Sequence, residues 1–289
     1  GFPGVWEHLI LDHIDFDVRA GEVHTLLGEN GAGKTVIANI LSGYYGKTAG
    51  EIRVKGRPVD LQSPRDGLRH GIAMVHQELM LVPAFTIAQN VMIGLQTSSF
   101  SFPLRKVEKR IGELSARYQL KVDPRARVED LSAGEQQRAE ILKVLFHEPE
   151  VLLLDEPTSL LTPQEADHLF VVLRAMAKEG KGIVFITHKM REVFAVSDRV
   201  TVLKLGKTQG TQPITDTNEQ ELTRKTFGET VPEYMERPSV QTEDKAIEIK
   251  NLVPQSIENR RPPLGLSFEI RKGEILGFAG VAGNGQTEL

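Results

Sequence analysis

The chain has 289 residues, 40% hydrophobic and 26% charged, the balance of a globular protein with one large domain or two ordinary ones. Lys and Arg total 35 against 39 Asp and Glu, a net charge of −4, which argues against a nucleic-acid partner held by broad phosphate neutralisation. The absence of Cys excludes disulfides, thiolate metal sites and a cysteine nucleophile, and no uncharged apolar run approaches the ~18 residues of a membrane span.

In chain order, His13–Val18 alternates polar and apolar residues and predicts a half-exposed antiparallel strand, a style that Glu51–Val54 continues. His24–Leu27 is the first of four short apolar runs, followed by Ile72–Val75, Val151–Leu154 and Ile183–Ile186. Each ends at polar or Gly-rich residues and predicts a strand buried on both faces of a parallel sheet. Helical spacing runs through Lys34–Leu41, Glu135–Phe146 and Gln164–Ala177. The last has a marked start, with Thr162 as N-cap, Pro163 at the first helical position and Glu165 completing a capping box. Residues 104–147 carry helical patterning without a strand and form a helical insert. Strands alternating with helices imply an α/β core.

After Gly206 the pattern changes. Thr217–Phe227 predicts a helix closed by Gly228, and residues 229–245, polar with Pro232 and Pro238, predict a linker. Ala246–Leu252 predicts another strand. The block Ser267-Phe268-Glu269-Ile270-Arg271-Lys272-Gly273-Glu274-Ile275 then repeats Asp15-Phe16-Asp17-Val18-Arg19-Ala20-Gly21-Glu22-Val23, and each block leads through an apolar strand into a Gly-rich turn. The expected organisation is one full unit at 1–228, a linker at 229–245 and the first part of a duplicate at 246–289.

Gly28-Glu29-Asn30-Gly31-Ala32-Gly33-Lys34-Thr35 fits G-x-x-x-x-G-K-[ST] between a strand and a helix. Glycines let successive backbone N–H groups point inward, and the helix start adds partial positive charge, a setting suited to nucleotide phosphates. Lys34 would reach the β- and γ-phosphates, and the Thr35 hydroxyl would take a Mg²⁺ position. The run Val151–Leu154 delivers Asp155 to the C-terminal edge of the sheet, where it would hold Mg²⁺; Glu156 beside it is placed to orient or deprotonate a water.

Leu131-Ser132-Ala133-Gly134-Glu135-Gln136-Gln137-Arg138 resembles the signature of ATP-binding-cassette ATPases, with Ala133-Gly134 where Gly-Gly is usual. The resemblance extends along essentially the whole chain. It includes a glutamine loop at Gln77, a D-loop at Pro157-Thr158-Ser159-Leu160-Leu161-Thr162, with Thr162 where Asp is usual, and a switch histidine at His188. It implies a P-loop nucleotide-binding cassette made of a parallel-sheet core, an antiparallel β-subdomain and a helical subdomain at about 80–147, plus the start of a second cassette.

The implied activity is Mg-dependent ATP hydrolysis by Lys34, Glu156 and His188, with Mg²⁺ near Thr35, Gln77 and Asp155. Each ATP would be sandwiched between one cassette's phosphate loop and the Leu131–Glu135 segment of another, supplied by the same full-length chain or by a second copy. An aromatic stacks on adenine in the family; Phe2, 32 residues before Lys34, is preferred here to Trp6. The second Gly-rich turn, Gly280-Val281-Ala282-Gly283-Asn284-Gly285-Gln286-Thr287, puts neutral Gln286 where Lys is expected, so hydrolysis there should be poor.

Tandem cassettes with such a second loop are similar to the ATPases of simple-sugar importers of the ribose, galactose and xylose type and of their nucleoside-importing relatives. Val75-His76-Gln77 followed by Met80-Leu81-Val82-Pro83, together with Glu135–Arg138 and 280–289, leans toward the nucleoside branch. The implied partners are integral-membrane permease subunits and, indirectly, a solute-binding protein, with the chain cytoplasmic and peripheral on the inner face of the membrane. Leu79–Val82, Phe85 and Val91–Leu95 form an apolar cluster after Gln77 that either meets the permease or fills the helical subdomain's core. The alternatives are a soluble tandem-cassette ATPase acting on ribosomes or DNA, disfavoured by the short linker, the charge and the lack of Cys, and a module that binds nucleotide without hydrolysing it.

Overall fold

The computed structural model describes residues 10–95, 104–228, 244–253 and 265–280. Phe2, Trp6, Gln286 and the rest of the second Gly-rich turn beyond Gly280 lie outside the described residues, as does the linker stretch 229–243. The chain divides into two compact units, 1–230 and 231–289.

In the first unit the elements run β1 (Val23–Leu27), α1 (Lys34–Leu41), β2 (Ile52–Val54), β3 (Arg57–Val59), α2 (Pro64–Arg69), β4 (Ile72–Val75), α3 (Ile87–Ile93), α4 (Leu104–Arg117), α5 (Ala133–Leu145), β5 (Val151–Asp155), α6 (Pro163–Lys178), β6 (Gly182–Thr187), α7 (Met190–Val196), β7 (Arg199–Lys204), β8 (Lys207–Pro213) and α8 (Glu219–Phe227). The main sheet has the order β4-β5-β6-β1-β7-β8. Every neighbouring pair is parallel except β7 with β8. The four apolar runs of the sequence are the four strands β1, β4, β5 and β6, fully buried apart from half-buried Val151.

Because successive strand residues face opposite ways, each of these strands feeds two cores. Leu152, Leu154, Ile183 and Phe185 point to a core built with α3, α4, α5 and α6, where Phe170 meets Phe185 edge-on at 5.9 Å. Leu153, Val184 and Ile186 point to the other, with Ile37 and Ala38 of α1. A strand apolar on both sides is what helices on both faces require. In the helical insert, α4 buries Val107, Ile111 and Leu114, one stripe at helical spacing. The capping box of α6 forms as its sequence dictates: the Thr162 hydroxyl accepts from the Glu165 N–H, and Glu165 accepts from the Thr162 N–H at 3.0 Å.

Two expected strands are corrected. His13–Val18 keeps its alternation in burial, with Ile14, Phe16 and Val18 packed on the α1 side, but it forms no strand. Side chains and single bonds tether it instead: the Asp17 carbonyl accepts from His24, and the Asp17 carboxylate holds Arg199 through paired bonds of 3.0 and 2.9 Å. In the second unit, β9 (Lys245–Leu252) and β10 (Leu266–Arg271) pair antiparallel, but the expected strand from Ile275 is absent among the described residues. The equivalent run of the first unit is held between β6 and β7; no such neighbours flank residues 275–280 among the described residues. The repeated block nevertheless folds into one turn in both units. The Arg19 N–H donates to Glu22 Oε1 and the Arg271 N–H to Glu274 Oε2, each at 2.7 Å.

The buried His24 gives the first unit a pH response. Its Nδ1–H donates to the Asp17 carbonyl at 2.6 Å, since a carbonyl only accepts, so Nε2 accepts from Thr201 Oγ1 at 2.8 Å. Burial, with Arg199 close by, pushes the imidazole down to about 4 from 6.5. The unfolded chain therefore takes up a proton at His24 between pH 6.5 and 4 that the folded unit refuses, so stability held above pH 6.5 is lost as pH falls to 4, by about 3 kcal/mol in all. Urea unfolding of the first unit at pH 7 and pH 4.5 should show this loss, and His24→Asn should remove most of it; an equal acid loss in both proteins would contradict the assignment.

Candidate nucleotide site

Parallel pairing puts the C-terminal ends of β4, β5, β6 and β1 along one edge, in that order. The residues that follow each strand are brought together by topology alone: Gln77 after β4, Glu156 after β5, His188 after β6 and the loop 28–33 after β1. That edge is where open α/β sheets bind ligands.

The loop opens α1 through Gly33, whose φ of 105° belongs to the left-handed region and whose added Cβ would lie 2.7 Å from Leu11. Lys34, the first residue of α1, is 5% exposed, and its Nζ donates to the carbonyls of Gly28 at 2.8 Å and Glu29 at 2.9 Å. Burial pulls its ammonium below the usual lysine value, while Glu156, Asp155 and Glu29 act in the opposite direction. Asp155 is 1% exposed, and neither carboxylate oxygen has a partner of good hydrogen-bond geometry, although the Thr35 hydroxyl lies near enough to favour the charged form. Burial dominates and pushes Asp155 up, with the charge of Glu156 adding to it.

An ammonium resting on neutral carbonyls of the loop and, at the end of β5, a buried carboxylate with two unpartnered oxygens are charges of opposite sign without a hydrogen-bonded counter-charge. They fit an anionic phosphate at Lys34 and a hard cation between Thr35 and Asp155. No group of three or more His, Cys, Asp or Glu that could hold a metal ion occurs among the described residues.

Glu156 has a close partner on one oxygen and a distant one on the other. His188 Nδ1 lies 2.9 Å from Oε1, and Gln77 Nε2 donates to Oε2 at 3.5 Å. The backbone of Glu156 sits at φ 45°, in the left-handed region, with its N–H on the Ile186 carbonyl at 3.0 Å.

The Leu131–Glu135 segment is not brought to this cluster. Ser132 N-caps α5 and closes a capping box with Glu135, and its bonds stay within that helix start. Gly134 lies against α6, where a Cβ would overlap the Glu165 carboxylate unless that side chain moved. Ala133 is exposed and tolerates its methyl group. Thr162 performs the capping that an Asp at this place would also perform. Of the apolar cluster after Gln77, Val91 is core, while Met80, Val82, Phe85 and Ile93 are exposed.

Sequence reasoning missed Glu192, a buried carboxylate bonded to Thr158 and Thr187 on either side of the Glu156 and His188 pair. The available signal was its place on the face of α7 that also buries Val193 and Val196.

The family model described as ABC transporter matches residues 11–159. The nucleoside import ATP-binding protein NupA of Lactococcus lactis subsp. cremoris is 44% identical over 279 residues, covering 96% of this chain and 55% of its own length. The glucose import ATP-binding protein TsgD13 of Haloferax volcanii is 40% identical over 317 residues, covering all of this chain and 57% of its own. The chain thus spans little more than half the length of the curated relatives it matches. Among solved structures, cbiO1 of Clostridium perfringens, part of the ABC transporter complex cbiONQ, is 29% identical with a TM-score of 0.63, covering 75% of this chain and 87% of that one. Phosphate loop, strand-end acid and family match agree: the chain belongs to the ABC transporter family of ATP-binding proteins.

Proposed function

We propose that the chain carries the ATP-hydrolysing site that drives import of a nucleoside or simple sugar through a membrane permease. The single observation behind this reading is the row of strand ends, with the phosphate loop, Gln77, Glu156 and His188 side by side and Glu156 held between its two polar neighbours. In this reading 1–228 is a first cassette, 229–245 a linker and 246–289 the start of a degenerate second cassette.

On ATP binding, Lys34 exchanges the loop carbonyls for β- and γ-phosphate oxygens, replacing neutral acceptors with charged ones. Thr35 and Asp155, with Gln77 nearby, would hold Mg²⁺, which when bound offsets phosphate charge. The Gln77 bond to Glu156 is at the outer limit of a hydrogen bond, so a water can take its place on Oε2. Glu156 accepts the proton of that water as its oxygen bonds to the γ-phosphorus and the bond to the ADP oxygen breaks, leaving ADP and phosphate. His188 keeps the carboxylate oriented through Oε1.

The N-terminus of α5, with the Ser132 hydroxyl and the Gly134 N–H, serves a nucleotide held by another cassette, in the same full-length chain or in a second copy. Exposed Met80, Val82, Phe85 and Ile93 support docking of permease subunits. No described helix is long and apolar enough to cross a membrane; docked on a permease, the chain would be a peripheral subunit on the cytoplasmic face. A nucleoside is favoured over a sugar by the local matches around Val75–Pro83 and Glu135–Arg138, and the acidic balance favours a permease over a nucleic acid.

Because each site needs a second signature, ATPase rate per chain should rise with protein concentration, and rise further in vesicles carrying the permease. Fast turnover by a monomer, independent of concentration, would contradict the paired arrangement.

A further inference from the structure

Glu192 lies in the first turn of α7, yet only 6% of it is exposed. A carboxylate at that depth is tolerable only when its lone pairs are filled. Its Oε1 accepts from the Thr158 hydroxyl at 2.6 Å and its Oε2 from the Thr187 hydroxyl at 2.7 Å, the short distances of charge-assisted bonds. Lys189 Nζ stands 3.1 Å from Oε1 and reaches the Thr158 hydroxyl at 3.3 Å, while the Lys189 N–H donates to Thr187 Oγ1 at 3.1 Å. Thr158 and Thr187 are themselves buried.

The two threonines are not arbitrary neighbours. Thr158 follows Glu156 by two residues on the loop leaving β5, and Thr187 immediately precedes His188 at the end of β6. One carboxylate therefore joins the loop that carries Glu156 to the strand end that carries His188. The backbone of Glu156, at φ 45°, occupies a region uncommon outside glycine, which persists only where its surroundings over-determine it. The bond at Thr158 is one such restraint.

The geometry points to Glu192 as a positioning residue for hydrolysis: it fixes the spacing between the two loops, so that His188 Nδ1 stays on Glu156 Oε1. The inference rests on the proposed hydrolytic role of Glu156 and His188. Glu192 itself has no bond to the phosphate loop among the described residues, so its effect falls on turnover and not on nucleotide affinity.

Glu192→Gln keeps the shape but offers one acceptor oxygen where two hydroxyls donate. In the whole chain, the expected result is a fall of about tenfold in kcat with ATP affinity within about twofold of the parent. The His188 ring signals in nitrogen-edited NMR, assigned by their loss in His188→Ala, should move. Unchanged kcat, a rate loss that follows ATP affinity, or unmoved His188 signals would each overturn the proposal.

Thr158→Val and Thr158→Ser decide the matter if Glu192→Gln does not fold. The valine should lose the rate and shift His188, and the serine, which keeps the hydroxyl, should restore both; equal behaviour of the two variants would overturn the proposal. A parent chain without ATPase activity even at high concentration in vesicles carrying the permease would sink the hydrolytic reading, whereas the His188 signals would still show whether Glu192 sets the loop spacing.

Discussion

Glu156→Gln is expected to cut ATP turnover by about 10²–10³-fold while Mg-ATP binding stays equal or tightens. The substitution preserves volume at a position whose side chain is 14% exposed, removes the capacity to take a proton from water and leaves one acceptor oxygen where His188 and Gln77 now share two. Gln offers His188 Nδ1 the same kind of acceptor oxygen, so the link to the β6 strand end survives. It also deletes a negative charge close to the phosphates, which is why affinity should not fall. Filter binding of labelled ATP alongside a phosphate-release assay separates the two effects. A variant that hydrolyses at the parental rate would remove Glu156 from the mechanism, and with it the reason for its grip by His188 and Gln77.

Asp155→Asn should act in opposite directions on the ligand-free and liganded protein. Without nucleotide, the wild type carries a buried carboxylate with both oxygens unpartnered, which burial drives toward its neutral form. Asparagine resembles that neutral form, so the ligand-free first unit should gain about 1–2 kcal/mol. With Mg-ATP near 100 times its Kd, the wild type should be stabilised by about 2.7 kcal/mol, and the variant, lacking the anionic oxygen shared with the cation, by almost nothing. Urea unfolding with and without Mg-ATP reads both changes. A variant less stable without ligand would mean that Asp155 supports the fold instead of a cation.

Local chemistry made much of this legible before any fold was known. The α6 start is written in Thr162, Pro163 and Glu165, and the phosphate loop in its glycines followed by Lys34; both depend on residues within one turn of each other. Strands β1, β4, β5 and β6 showed as apolar runs because both faces are covered, and their parallel pairing then aligned Gln77, Glu156 and His188. What stayed hidden was nonlocal. The β7–β8 hairpin, half polar, gave no continuous apolar run. Residues 13–18 had the alternation of a strand, yet a ladder depends on a partner that no alternation reveals. Glu192 read as an ordinary acid on a short helix, because its meaning comes from Thr158, 34 residues away. The close approach of Gly134 likewise appears only once Glu165 of α6 is seen against it.

In the proposed function, helix α5 and strand β5 would divide the work between two cassettes. The acid and the proton acceptor at the end of β5 would serve the nucleotide on their own phosphate loop, while the Ser132 start of α5 keeps its bonds within its capping box and lies against α6 at Gly134. Under the proposed pairing, such a chain would offer half of each site and take the other half from a second cassette.

All of it depends on the amide-lined loop before α1 gripping a triphosphate beside a cation held by Thr35 and Asp155. Calorimetric titration of ATP into the whole chain, with magnesium and then with a chelator, tests this most directly. Saturable binding that weakens by about tenfold or more when magnesium is removed is the expected result. Absence of binding, or binding indifferent to magnesium, would contradict it.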